Sequence, residues 1–223
     1  MKKAFFLTVM LTLSIIIASS VSADTITSSY SIPWSDTDWD AFFDVAKFDP
    51  TLGTLNSIAF TFQGDIQGSA DFENRSSSPA QVTLKLSSIL QLQRPDSTLL
   101  VEAIPLYDIT TNVTAYDNVL DYGGTSGHTY SGLTASKTES YVSSLLSDLT
   151  LFTGSGNINL PVTATATSRI SGPGNLIGGF STEASALATI TYDYTPVPEP
   201  SSMVALLAGM GGLAGLIRRR RNR

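Results

Sequence analysis

A chain of 223 residues, 42% hydrophobic, has enough apolar surface for one core, and with no cysteine that core forms without disulfides. One histidine and no cysteine exclude the usual zinc ligand sets. The formal charge of −6 conceals a sharper split: residues 24–195 carry six basic and 18 acidic side chains, a net −12, which argues against nucleic acid or anionic lipid as a partner of that stretch.

The chain opens with the three parts of a secretory signal: Lys2 and Lys3, an apolar run from Ala4 to Ala18, and small residues at Val21, Ser22 and Ala23. The run is shorter than the roughly 20 residues of a spanning helix. Signal peptidase is therefore expected to cut between Ala23 and Asp24, removing residues 1–23.

From there the pattern is strand after strand. Ile26, Ser28, Tyr30 and Ile32 alternate with polar neighbours, the period of two of a half-buried strand. The same period recurs in Ile58, Phe60 and Phe62, in Val82, Leu84 and Leu86, and in Ile158, Leu160 and Val162. It closes with Ala184, Ala186, Ala188, Ile190, Tyr192 and Tyr194 on one face, Leu187 being the apolar exception on the other. Turn clusters punctuate the runs: QGD, NRSSSP, RPDS, DYGGTSG, FTGSGN and SGPGN. The expected fold over 24–195 is mainly β, an antiparallel sandwich or jelly roll. Two helices are predicted, over Asp36–Phe48, where Trp39, Phe42, Phe43 and Ala46 fall at helical spacing, and over Glu139–Phe152.

The end of the chain is a separate unit, 196–223. Pro196, Pro198 and Pro200 alternate with Val197 and Glu199, which forces an extended segment without ladder pairing over 196–202. Met203 to Ile217 then form an uncharged, mostly apolar run of 15 residues. As a helix it covers roughly 22 Å against a hydrocarbon core near 30 Å, a short transmembrane anchor that needs snorkelling or local thinning of the bilayer. Arg218, Arg219, Arg220, Arg221 and Arg223 stop transfer and hold that end in the cytoplasm, with 24–195 on the other side.

A Pro198-Glu199-Pro200 motif, a short apolar helix and an arginine cluster, in that order, resemble the PEP-CTERM sorting signal of exopolysaccharide-producing Gram-negative bacteria. The resemblance implies a substrate of exosortase, a membrane enzyme acting at or near Pro198-Glu199-Pro200. A GPI-type signal is laid out similarly but ends apolar rather than in arginines. FDPTLGTL (Phe48–Leu55), DYGGTSGHTYSGL (Asp121–Leu133) and LFTGSGNINLPVTATATS (Leu151–Ser168) resemble the choice-of-anchor E domain, over most of Trp34 to Thr195. That family implies a β-rich exported domain and no established activity.

Chemistry is sparse. His128, in GGTSGHTYSG, is the one available imidazole, and no G-x-S-x-G elbow accompanies it, so it reads as a solvated loop residue. Asp36, Asp38 and Asp40 begin like an EF-hand loop, but Ala41 stands at the sixth position and Lys47 at the twelfth, against the calcium reading; the alternative is an acidic cap on a short helix. Trp34 and Trp39 beside them offer either a sugar platform or core packing. Asn74-Arg75-Ser76 and Asn112-Val113-Thr114 match the N-glycosylation acceptor pattern, a short match of little weight in a bacterium. A pair of carboxylates suited to polysaccharide hydrolysis stays open, because sequence does not measure their separation.

The reading is an exported, non-enzymatic protein without catalytic residue, cofactor or assigned metal. It passes through the inner membrane to the surface or extracellular matrix of a Gram-negative bacterium, with signal peptidase, exosortase and exopolysaccharide as partners and a structural or adhesive role. The alternatives are a secreted hydrolase and a carbohydrate- or calcium-binding module.

Overall fold

The structure, a computed structural model, describes residues 22–197 together with Arg218 and Arg220. The chain divides into two units, one joining Met1–Asp24 with Thr195–Arg223 and the other spanning Thr25–Tyr194. The second holds the sheets. Among the described residues no helix is long and apolar enough to cross a membrane, and the span expected over 203–217 lies outside them, as does the apolar run of the expected signal.

From Asp24 to Pro196 the elements follow in order: β1 (Asp24–Asp36), β2 (Trp39–Ala46), β3 (Gly53–Asn74), β4 (Ala80–Gln93), β5 (Leu99–Ala103), β6 (Leu106–Val113), β7 (Gly127–Ser143), α1 (Leu146–Phe152), β8 (Asn157–Ala166), β9 (Arg169–Ser171) and β10 (Leu176–Pro196). One sheet has the order β1-β10-β3-β7. The other runs β2-β8-β4-β5, with β6 and β9 also paired to β4. The partners of β4 explain its length: antiparallel β5 and β6 take successive stretches of it, as do β8 and β9. Between β5 and β6 stands Pro105, which has no N–H for a ladder, and its carbonyl accepts the buried Ser87 hydroxyl at 2.8 Å.

The alternating runs bury the face expected of them. On β4, Ala80, Val82, Leu84, Leu86, Leu90 and Leu92 are buried, while Thr83, Lys85, Gln91 and Gln93 are not. On β10 the row from Ala184 to Tyr194 is buried, and Leu187 is exposed. Both sheets contribute to one core, where Phe60 and Phe62 of β3 meet residues such as Phe43, Leu84 and Leu160 of the other sheet. Each such fully buried side chain contributes about 1.5–3 kcal/mol of burial. The buried alanines of β10 lie on the strand beside β3, which carries the buried Phe60, Phe62 and Phe72.

The structure corrects four expectations. Asp36–Phe48 is not a helix: Thr37 crosses from the first sheet to the second, its N–H donating to the Thr182 carbonyl at 3.0 Å, and β2 follows, paired antiparallel with β8. The run Trp39, Phe42, Phe43, Ala46 fits a helical spacing, but pairing selects the alternation in which Phe43 and Val45 are buried and Phe42 is 60% exposed. The second helix is shorter than expected, because β7 continues to Ser143, opposite Ile58, and only Leu146–Phe152 is helical. QGD is no turn but the middle of β3, where a side chain on Gly64 would stand 2.9 Å from Leu90 of the facing sheet. His128 lies on β7 rather than in a loop, exposed and packed against Tyr130 with ring centroids 4.3 Å apart.

β3 and β7 pair antiparallel from Ile58 to Glu73, broken by one bulge. Gly68 pairs with Leu133 and Ala70 with Tyr130, so Ser131 and Gly132 together face Ser69. Gly132 has φ 66°, the left-handed region that glycine, without a Cβ, adopts at little cost.

At the α1 end, Tyr192 closes the core by donating its hydroxyl to the Ala46 carbonyl at 2.8 Å. Burial first, and then Tyr30, push its ionisation above the usual 10.0. A raised value in the folded state gives stability that is complete below pH 10 and is lost as pH climbs above it, where the unfolded chain ionises first. Unfolding titrations at pH 10 and 11 are expected to show the parent losing about 1 kcal/mol more than Tyr192→Phe over that interval. Equal losses would remove Tyr192 as the cause.

Candidate functional site

The acidic stretch at the β1–β2 corner is used for construction. Asp38 accepts the Ala166 N–H at 2.5 Å, and Asp44 accepts the Asn157 side-chain amide at 2.7 Å, both fastening β2 to β8. Asp36 and Asp40 are exposed on the same segment. Trp39 donates its indole N–H to the Ala184 carbonyl at 3.3 Å, a bond between the two sheets, and Trp34 is 45% exposed. Among the described residues no three His, Cys, Asp or Glu side chains stand together as a metal cluster, so Asp36, Asp38 and Asp40 do not converge.

A different carboxylate stands out at the opposite end of the sheets from α1. Glu73, in the last turn of the β3 ladder, is fully buried, and neither carboxylate oxygen has a hydrogen-bond partner. Strand alternation would put it outside, since Phe72 occupies the core face. It is covered instead by the segment that leads from β6 into β7. Glu73 pairs across the ladder with Gly127, and a side chain at Gly127 would lie 2.4 Å from Glu73 Oε2, 2.7 Å from the Gly123 nitrogen and 2.8 Å from the Tyr122 carbonyl carbon. The absence of a side chain at Gly127 is therefore what lets the loop close over the carboxylate.

The cover is held by polar bonds. Asn74 N–H donates to the Ser126 carbonyl at 2.9 Å, and the Asn74 side chain donates to the carbonyls of Thr114 and Ser78 at 2.8 and 3.0 Å. Tyr116 N–H reaches the Ser76 carbonyl, also at 2.8 Å. Asp117 accepts the Val119 N–H and Asp121 the Gly123 N–H, each at 2.9 Å. Among the described residues, the buried side-chain atoms without a hydrogen-bond partner include both oxygens of Glu73. An ionised carboxylate kept from water without a partner costs several kcal/mol. The sequence signal for this site was faint: a glutamate at an outward position, and a glycine-rich loop more than 40 residues away.

The signals at the two chain ends lie at the border of the description. Ala23 is exposed, directly before β1 begins at Asp24. Pro198, Glu199, Pro200, Arg219, Arg221 and Arg223 lie outside the described residues, while Arg218 and Arg220 are helical and exposed. β10 ends at Pro196, where the alternating prolines begin.

Residues 196–221 match the PEP-CTERM protein-sorting motif. The motif marks the chain as an exported, surface-directed protein that exosortase processes. The match does not reach residues 34–195, and it lends no support to their resemblance to the choice-of-anchor E domain. No curated protein matches the chain. Among solved structures, that of infectious bursal disease virus Gx strain is 12% identical over 79% of this chain and 38% of its own, with a TM-score of 0.22. The VP2 subviral particle of the same virus is 13% identical over 79% and 37%, with a TM-score of 0.20. Desmodium yellow mottle tymovirus is 9% identical over 84% and 95%, again at 0.22. The chain thus spans less than two-fifths of the length of these two bursal disease virus chains, and TM-scores this low carry no inference about fold or function.

Proposed function

We propose that the chain is a surface or matrix protein of a Gram-negative bacterium, exported by its first 23 residues and matured by exosortase at or near Pro198-Glu199-Pro200. The span over 203–217 holds it in the inner membrane until processing, and Arg218 to Arg223 stop transfer. The mature domain has a structural or adhesive role in an exopolysaccharide matrix and no catalytic one. The observation that carries this reading is the sorting motif at 196–221.

The strand order supports a jelly-roll sandwich for that domain. With β5 and β6 counted as one broken strand, and β8 and β9 as another, the eight strands lie in the orders 1-8-3-6 and 2-7-4-5, the double Greek key of a jelly roll. A closed two-sheet domain without disulfides suits a module displayed outside the cell, and the choice-of-anchor E resemblance of 34–195 accords with it.

Replacing Glu199 with alanine is expected to leave an unprocessed protein in the membrane fraction, heavier than the mature form by the tail. Immunoblots of membrane, surface and medium fractions test this. Normal maturation and release of the variant would overturn the sorting reading.

A further inference from the structure

Both oxygens of the buried Glu73 carboxylate lack a hydrogen-bond partner. None of the ion pairs among the described residues, Lys85–Asp108, Arg94–Asp148 and Lys137–Glu139, includes it. Arg75, two residues on, is exposed. His128 follows Gly127 on β7 and is turned to Tyr130. Glu73 Oε2 lies against Gly127, whose Cβ position would also meet main chain of Tyr122 and Gly123, and the Gly123 N–H donates to the Asp121 carboxylate. Asp117 stands against Gly124 in the same loop.

We propose that Glu73 and the Asp117–Gly127 loop bind a divalent cation, calcium being the one that the donors suit. Two observations meet here: a loop carrying two carboxylates, and a fully buried third carboxylate without a partner, directed into that loop. All the donors are oxygens, the hard set that calcium and magnesium take and that softer metals do not prefer. Three carboxylates do not converge as a preformed cluster, so the cation takes Glu73 as its buried ligand and completes its shell with main-chain carbonyls and water. Calcium accepts such mixed, irregular shells, whereas magnesium demands near-octahedral geometry. The net −12 of residues 24–195 raises the local concentration of cations around it.

β10 starts beside this end, where Gly178 would meet the Asp71 carbonyl, and it ends beside α1, where Tyr194 packs on Phe48. The inference itself does not depend on sorting.

The test uses the full-length protein purified in detergent, stripped with EDTA, and melted in EDTA, in magnesium and in calcium. At a hundredfold excess over Kd, calcium is expected to raise Tm by about 5–10 °C. Glu73→Gln, equal in shape and uncharged, loses that response, and Asp121→Asn weakens it. A variant with Asp36, Asp38 and Asp40 all changed to asparagine keeps it. Terbium luminescence sensitised through Tyr122, displaced by calcium and lost in Tyr122→Phe, reads the site directly even if Glu73→Gln does not fold. No response to either divalent cation, a response unchanged in Glu73→Gln, or absence of terbium luminescence would overturn the proposal.

Discussion

Changing Asp148 to alanine is expected to destabilise the protein by about 3–5 kcal/mol, a fall in Tm of roughly 6–20 °C. Asp148, in the first turn of α1, is 1% exposed at its side chain, and Arg94 Nη2 approaches both of its oxygens at 2.6 and 2.7 Å. The Ser143 hydroxyl donates to the same carboxylate at 2.5 Å. Arg94 follows β4 of one sheet and Ser143 ends β7 of the other, so this group joins the two sheets in a chain that has no disulfide. Alanine leaves the guanidinium, 17% exposed, without its ion-pair partner. The penalty comes from stranding Arg94 more than from losing an attraction. Arg94→Met combined with Asp148→Leu is accordingly expected to recover much of the stability, and thermal melts of the three proteins decide it. A loss below about 1 kcal/mol in Asp148→Ala would show that water reaches Arg94 freely.

The second large effect is at Gly68. A Cβ there would fall 2.0 Å from the Ser181 carbonyl oxygen, a collision with backbone that no rotamer relieves. Gly68→Ala must push β3 from β10 and is expected to cost at least about 3 kcal/mol, the upper end for overpacking. Gly132→Ala is the control: nothing lies within 4 Å of its Cβ position, and only the positive φ of 66° resists, at about 1–2 kcal/mol. Urea unfolding of both variants should rank Gly68 well above Gly132. The reverse order would mean that conformation, not contact, governs the bulge.

Sequence revealed those features whose causes are local. The alternation on β4 and β10 was legible because each residue reports its own face. So was the tail, whose prolines, apolar length and arginine charges act within a few residues of one another. The β2 segment was not, since the corner at Thr37 depends on a carbonyl at Thr182, and a pair of adjacent phenylalanines fits either period. Glu73 was invisible for a related reason: its strand pattern places it in water, and only the distant Tyr122–Gly127 loop buries it. The strand order was likewise out of reach, because the β3–β7 pairing joins Ile58 to Ser143 across most of the intervening sheet-forming chain.

The central claim is that the last residues are a sorting signal rather than a lasting anchor. The intact mass of the protein recovered from its own host, in membrane, surface and medium fractions, tests it most directly. A surface or released form lacking residues 1–23 and everything beyond about Pro200 is the predicted result. A mature form that keeps Arg218 to Arg223 would contradict it and leave a membrane-tethered domain in its place.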